Sequence, residues 1–190
     1  EPIAKGYRAA VPTPARKGVR NVLRNLKTPT NLANELLQGD LQGAGNVVTR
    51  ASVNTILGVG GLFDIAGHEG IPYHSEDFGQ TLAVWGVDHG PYLVIPFFGP
   101  GSVRDYAGTL VDVAADPLNH WMLNTGRDTV VYVRAATTFV DTREGLLDVL
   151  SDLRNNSIDY YATLRSVYAQ NRNNLISDGK ASAEPWPEFE

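Results

Sequence analysis

Signals for the start of an α-helix recur along this chain and constrain its fold more than any other feature. A Thr or Asp before Pro, or a Ser or Thr three residues before an acid, offers a side-chain oxygen to the free N–H groups of a first helical turn. These signals are Thr13-Pro14, Thr28-Pro29, Asp116-Pro117, Ser102 with Asp105, and Thr125 with Asp128. The pattern predicts a mostly α protein.

The apolar periodicity that follows these signals places the helices. We predict helices near 14–26, 30–38, 41–57, 77–85, 103–115, 127–139, 143–150 and 156–173. β-Branched and aromatic residues are concentrated only at 91–98, where we expect no more than a short extended or hairpin segment. We expect a single helical domain over 1–177 and a polar, flexible tail over 178–190.

Composition excludes several classes of protein. A chain of 190 residues is long enough for one domain with a core of its own. The net charge of −5 argues against a general nucleic-acid-binding protein. The absence of cysteine excludes disulfides, zinc–thiolate sites and thiol nucleophiles. No segment approaches the ~20 consecutive apolar residues of a spanning helix.

Two helical segments carry an unusual distribution of apolar residues. The segment 14–26 is apolar on one side of its helical wheel, and the adjoining side carries Arg16, Arg20, Arg24 and Lys27. This pattern suits a membrane interface, or else a helix that packs on a protein core and exposes its cations to water. In 41–65 apolar residues surround the axis, so that segment must be enclosed by protein or by lipid.

An ordered series of motifs resembles the signature of the VacJ/MlaA family of outer-membrane lipoproteins. The motifs occupy 11–16, 37–40, 54–67, 77–82, 85–87, 90–100 and 104–105, and beyond 112 only the helical pattern matches. The signature positions are Asn54, Thr55, Gly58, Gly60, Gly61, Asp64, Gly79, Pro91, Pro96 and Asp105. The family's lipobox Cys and its Asn- and Phe-rich segment are missing, so we expect the N-terminal part of the mature protein, with its anchor, to precede residue 1.

The resemblance implies a fold, a location and an activity. The fold is a ring of amphipathic helices at the periplasmic face of the outer membrane, in its inner leaflet. The activity is removal of misplaced phospholipids from the outer leaflet through a channel in the ring. The implied partners are phospholipids, trimeric porins and a periplasmic lipid-binding shuttle protein; no enzymatic activity, cofactor or metal is implied. A ring of amphipathic helices can bury one rim in lipid without spanning the bilayer.

The resemblance also implies site residues. It places the motif 85–87 beside the lipid path, where Gly86 fits a helix C′ position and Gly90 a tight turn. The loop between these two glycines either moves and gates the path or is only a shaped connection, and Phe78 would form an apolar wall of the path. Arg104 either binds a phosphate with two hydrogen bonds or pairs with neighbouring groups at the start of its helix.

Two other classes of function remain open. A phospholipid hydrolase could use His74, Asp88 and His89, although their spacing matches no HExxH, GxSxG or P-loop motif and Ser102 fits a helix N-cap better than a nucleophile. An envelope scaffold could bind porins without a lipid path of its own. Four aromatic residues are candidates for an interfacial belt: Trp85, Tyr92, Trp121 and Trp186. Trp186 and Phe189, in the polar tail, could also form a docking motif.

Overall fold

A computed structural model describes residues 2–96 and 98–178, and it confirms the mostly α prediction. The helices are α1 (Pro2–Ala10), α2 (Thr13–Leu26), α3 (Thr28–Gln38), α4 (Leu41–Ile56), α5 (Ile65–His68), α6 (Phe78–Val84), α7 (Val103–Ala115), α8 (Pro117–Asn124), α9 (Asp128–Gly145), α10 (Leu147–Asn156) and α11 (Tyr160–Ile176). The tail residues Trp186 and Phe189 lie outside the described residues. None of the described helices has both the length and the hydropathy that crossing a bilayer requires.

The predicted hairpin is present, but half of it lies beyond the predicted segment. Strand β1 (Tyr92–Ile95) pairs antiparallel with β2 (Gly99–Ser102), with Tyr92 opposite Ser102 and Ile95 opposite Gly99. The sequence of β2 is Gly-Pro-Gly-Ser, and glycine and proline are depleted in strands, so local propensity gave no signal for it.

Several predicted helix boundaries are wrong. The predicted break near 140 does not occur, because α9 continues through it and the carboxylates of Asp141 and Glu144 are held by arginines of α2. Residue 156 ends α10 rather than beginning the last helix, which starts at Tyr160 after the N-cap Asp159. Helices α1, α5 and α8 were not predicted.

The capping signals were right where an Asp or Ser supplies the oxygen. Ser102 Oγ accepts from Asp105 N at 3.2 Å, and Asp116 Oδ1 accepts from Leu118 N at 2.9 Å. Thr13 and Thr28 instead lie inside their helices, with no side-chain cap before them. Thr125 does not cap α9 but donates to the carbonyl of Trp121 at the end of α8.

The interior of the protein is mainly polar, and much of its surface is apolar. The largest fully buried side chains are Gln80, Glu76, Asn31, Asn34, Thr81 and Ser102. Large apolar side chains are exposed on several helices and on the hairpin, among them Leu41, Ile56, Phe98, Leu110 and Tyr132, each more than 70% exposed. Water-soluble domains show the opposite preference in their interiors. Extensive exposed apolar surface is typical of a protein that contacts a membrane or another protein.

Helices α6 and α7 pack most closely where two glycines meet. A Cβ on Gly108 would lie 2.6 Å from Gly79 Cα and would overlap the backbone nitrogen of Gly79. Because backbone cannot move aside as a flexible side chain can, only glycine fits at Gly108. At the signature position Gly79 a Cβ would lie 2.6 Å from Arg172 Nη2 and 3.0 Å from Asp105 Cα, so the packing of α6 on α7 and α11 explains this glycine as well.

We predict that Gly108→Ala lowers the free energy of unfolding by about 1–3 kcal/mol, the usual cost of overpacking. Gly45→Ala on α4 is the matched control, since no atom lies within 4 Å of its Cβ position. There we expect no loss, because alanine favours a helix over glycine. Urea unfolding measures both changes. A Gly108→Ala protein as stable as Gly45→Ala would show that the contact is not tight.

Candidate functional site

A cavity of about 180 Å³ lies between α2, α3, α4 and the segment that connects α5 to α6. Its described lining is dominated by amide, guanidinium and carboxylate side chains, including five asparagines. These are Asn21, Asn25, Asn31, Asn46 and Asn54. Polar side chains that converge on a cavity can bind and orient a polar ligand.

The signature motif 54–67 forms one wall of this cavity. Asn54 Nδ2 donates to Asp64 Oδ1 at 2.9 Å, and Asn54 Oδ1 accepts from Ala66 N at 2.9 Å. Asp64 also accepts from Gly67 N and so caps α5. Gly61 has φ +90°, and a Cβ there would lie 2.6 Å from Asn25 Cβ on α2. The motif therefore encodes a tight turn that is bonded to both of its ends and packed on α2.

Arg50 is buried between that turn and the next segment. Its Nη2 donates to Asp64 Oδ1 at 2.7 Å, and its Nη1 donates to the carbonyl of Ile71. Burial by itself raises the pKa of Asp64, but the hydrogen bonds from Asn54 and Arg50 outweigh it and hold that pKa below its usual value. Asp64 is therefore ionised and neutralises Arg50.

Tyr73 lies between two guanidinium groups at the same end of the cavity. The Arg24 carbon Cζ is 4.6 Å from the ring centroid, and that of Arg50 is 5.6 Å from it. Asn31 Nδ2 donates to the Tyr73 hydroxyl at 3.4 Å and to the His74 carbonyl at 3.3 Å. Among the residues that the structure describes, no carboxylate forms a salt bridge with Arg24.

Glu76 lies behind the cavity in a network of neutral polar side chains. Its Oε2 accepts from Gln38 Nε2 at 2.8 Å, and its backbone N–H donates to Asn31 Oδ1 at 3.3 Å. Burial above all, with the nearby charges of Asp178 and Asp77, raises the pKa of Glu76 from 4.5 to about 7. Gln38 and Lys27 oppose this shift without cancelling it.

A second charged cluster joins α6, α7 and α11. Arg172 donates to both carboxylate oxygens of Asp77, at 2.7 Å and 2.6 Å, and its Nη2 is 3.0 Å from Asp105 Oδ1. The Tyr168 hydroxyl donates to Asp105 and accepts from Ser102 N. Burial raises the pKa of Asp77, but Arg172 more than reverses the effect and the pKa lies below its usual value. The signature residue Asp105 is thus part of a buried ion cluster.

The structure places Gly86 and Gly90 as the sequence predicts, at the two ends of the loop after α6. Gly86 has φ +87°, donates to the Ala83 carbonyl and is followed by a bond from Val87 N to the Leu82 carbonyl, which together close α6. Gly90 has φ +64°. Neither residue lines the cavity described above. Whether the loop moves remains a prediction.

Phe78 begins α6, is half-buried and packs edge-to-face on Trp85 with the ring centroids 5.7 Å apart. It does not line the cavity either. The indole N–H of Trp85 donates to the Leu37 carbonyl, while the side chains of Trp85 and Trp121 are each 54% exposed. Both tryptophans are therefore available to a membrane, whereas Tyr92 packs against Tyr161 and Tyr168.

Arg104 is buried and directed into the protein. Its Nη1 donates to the Val87 carbonyl at 3.1 Å, its Nε donates to Asp105 Oδ1 at 3.2 Å, and its backbone N–H donates to the His89 carbonyl at 3.3 Å. These bonds attach the loop after α6 to the start of α7. They account for the burial and orientation of Arg104 without a bound phosphate. Phosphate binding by Arg104 stays a prediction.

The four cations predicted at a membrane interface all have partners within the protein. Arg16 and Arg20 donate to Glu144, and Arg20 also donates to Asp141 at 3.0 Å. Lys27 donates to Ser75 Oγ at 2.8 Å, and only Arg24, above Tyr73, is exposed. The first two cations thus attach α2 to α9, an arrangement that periodicity cannot distinguish from a membrane-facing row.

The histidines and carboxylate of the hydrolase alternative are not all in one place. His74 lines the cavity, whereas Asp88 and His89 lie in the loop after α6 and do not. The Asp88 side chain is 86% exposed, and His89 Nδ1 contacts the carbonyl of Gly90. Within 2–96 and 98–178 no group of three His, Asp or Glu side chains is arranged to hold a metal ion.

The raised pKa of Glu76 predicts how stability depends on pH. Between about pH 4.5 and about pH 7 the folded protein retains a proton at Glu76 that the unfolded chain releases. The contribution of this group to the free energy of unfolding is therefore fully present below that range, and it is lost as pH rises to about 7. The free energy of unfolding of Glu76→Gln, relative to that of the parent, should therefore rise by on the order of 2 kcal/mol between about pH 5 and about pH 8. Urea unfolding at several pH values measures the difference.

Glu69→Gln, at an exposed carboxyl group, is the control for this measurement. A difference between Glu76→Gln and the parent that does not change with pH would contradict the assignment.

Comparisons with known proteins agree with this arrangement. Residues 1–175 match the family model of the MlaA lipoprotein. The intermembrane phospholipid transport system lipoproteins MlaA of Shigella flexneri and of Escherichia coli K12 are each 34% identical over 191 residues, which cover 98% of this chain and 73% of the relative. The Haemophilus influenzae protein of the same name is 33% identical and covers 95% of this chain and 71% of its own length.

A solved structure from work on the structural basis for maintenance of bacterial outer membrane lipid asymmetry has the same fold. It aligns with a TM-score of 0.74 at 32% sequence identity, over 92% of this chain and 86% of that one. Sequence and structure agree over nearly the whole chain. The chain therefore belongs to the MlaA lipoprotein family.

Proposed function

We propose that this chain is the outer-membrane component of a phospholipid-transport system that maintains lipid asymmetry. It removes misplaced phospholipids from the outer leaflet and transfers them to a periplasmic lipid-binding shuttle protein. The names of the relatives and the subject of the solved structure support the process. The activity is transfer without bond making or breaking, and it uses no cofactor.

The observation that carries this proposal is a reversed distribution of residues, with polar side chains buried and large apolar side chains exposed. Exposed apolar side chains such as Ile56 and Leu110 are stabilised when acyl chains cover them. Short amphipathic helices can enter one leaflet with their polar sides directed away from the acyl chains. The arrangement supports residence in the inner leaflet of the outer membrane, at its periplasmic face.

The same reversed distribution supports a path for the polar part of a lipid. A headgroup that crosses an apolar region must have its lost hydrogen bonds to water replaced. Amide and charged side chains inside a helical ring supply such groups. We propose that the ring encloses this path, and that the loop between Gly86 and Gly90, next to Phe78, controls access to it. Trimeric porins would cover part of the remaining apolar surface.

The proposal is tested in Gram-negative cells that lack their own MlaA. The natural full-length protein should return outer-leaflet phosphatidylethanolamine, measured with a membrane-impermeant amine reagent, to the parental level. Ile56→Asp should abolish this effect without unfolding the protein, because a carboxylate is expensive in contact with acyl chains. Ser151→Asp, on the exposed polar side of α10, is the matched control and should retain activity.

Full clearance by Ile56→Asp would contradict residence of this surface in lipid. Failure of the unaltered protein to lower surface phospholipid, when it reaches the outer membrane, would contradict the proposed function itself.

A further inference from the structure

The two arginines and two of the four carboxylates that line the cavity lie at opposite ends of it, while Asp64 is bonded to Arg50. Arg24, in the last turn of α2, and Arg50, in the second half of α4, flank Tyr73 at one end. Asp40 and Glu35 lie at the other end, where α3 turns into α4. The cavity thus has a cationic end and an acidic end, joined by a wall of asparagine and glutamine amides.

The cationic end is suited to a phosphate group. Arg50 is neutralised by Asp64, but no described carboxylate forms a salt bridge with Arg24, whose guanidinium carbon lies 4.6 Å from the centroid of the Tyr73 ring. A guanidinium can donate two parallel hydrogen bonds to two phosphate oxygens. The Tyr73 hydroxyl lies at the same end and could donate a further hydrogen bond.

The acidic end is suited to a cation. Asp40 uses Oδ1 to cap α4, accepting from Gly43 N at 2.8 Å, and the cap leaves its charge in the cavity wall. The Glu35 carboxylate packs on Gly43, where a Cβ would lie 2.7 Å from Oε1. With Asp64 and Asp178, the described lining carries four carboxylates and two guanidiniums. A net anion is therefore disfavoured in this cavity.

We propose that this cavity binds the headgroup of a zwitterionic phospholipid, with the phosphodiester at Arg24 and Tyr73 and the primary ammonium at Asp40 and Glu35. The inference rests on the proposed function and names the class of lipid. The rise along α4 from Gly43 to Arg50 is about 10 Å. Gly43 contacts Asp40 and Glu35 at the acidic end, and the Arg50 guanidinium lies 5.6 Å from the Tyr73 ring at the cationic end. The Arg50 side chain leans toward the N-terminus of α4, which shortens the distance that a phosphoethanolamine group has to bridge.

Calorimetric titration of the natural protein in detergent tests this. The probes are dihexanoyl phosphatidylethanolamine, dihexanoyl phosphatidylglycerol and inorganic phosphate. We expect the ethanolamine lipid to bind most tightly. Arg24→Gln should weaken its binding at least about tenfold, because a charge-assisted contact is lost. Arg24→Lys, which keeps the charge but not the paired donors, should fall between that variant and the parent.

Two further variants make the test specific. Asp40→Asn keeps a side chain that caps helices well but removes the charge, so it should reduce the preference for ethanolamine over glycerol. Arg154→Gln removes an arginine 5.8 Å from the ring of Tyr160, outside the cavity lining, and should bind as the parent does.

Four results would overturn the inference. Equal affinity of the parent for both lipids would exclude an ammonium site, and equally tight inorganic phosphate would indicate a site for the free ion. If Arg24→Gln binds as Arg154→Gln does while the protein still clears surface phospholipid, the headgroup binds elsewhere and the proposed function stands. If the parent binds neither lipid, the headgroup site is wrong; loss of clearance in cells as well would contradict the proposed function.

Discussion

The fold depends on hydrogen bonds and ion pairs that a polar interior makes with itself. Arg172 is the clearest case, because its guanidinium is buried and held by two bonds to Asp77 and a third contact with Asp105. Removing one partner of such a group leaves a buried charge without compensation, which is strongly destabilising. Because Asp77 caps α6 and Asp105 lies in the first turn of α7, this single cluster fixes three helices.

Because polar side chains occupy the interior, many large apolar side chains lie on the surface. This distribution connects the packing of the protein with its activity. A surface of exposed Leu, Ile and Phe side chains in water would favour aggregation, whereas in a leaflet it is stabilising. In our proposal the interior offers polar groups to a headgroup, and such groups converge on the cavity beside Tyr73. Phospholipid transport requires both properties in one molecule, and family membership independently indicates the same process.

Local features of this fold were predictable from sequence, and long-range ones were not. An Asp or Ser before a helix acts within one turn, so Ser102 and Asp116 were identified as caps. The partners of Arg20 and Arg172 lie 121 and 95 residues away, and no periodicity encodes such a pairing. For the same reason the cavity residues Arg50 and Tyr73 were missed. The sequence singled out Asn54 and Asp64 as signature positions, and it singled out Arg24 and His74 for other roles, a membrane interface and a hydrolase site.

The central claim, that the apolar surface lies among acyl chains, is tested most directly by tryptophan fluorescence with phospholipids brominated on those chains. In a Trp186→Phe background of the 190-residue chain the signal comes from Trp85 and Trp121, both 54% exposed. The account predicts that brominated vesicles quench this fluorescence, and that a Trp121→Phe variant of that background, which reports Trp85 alone, is quenched as well. Full fluorescence from protein that co-floats with the brominated vesicles would contradict it.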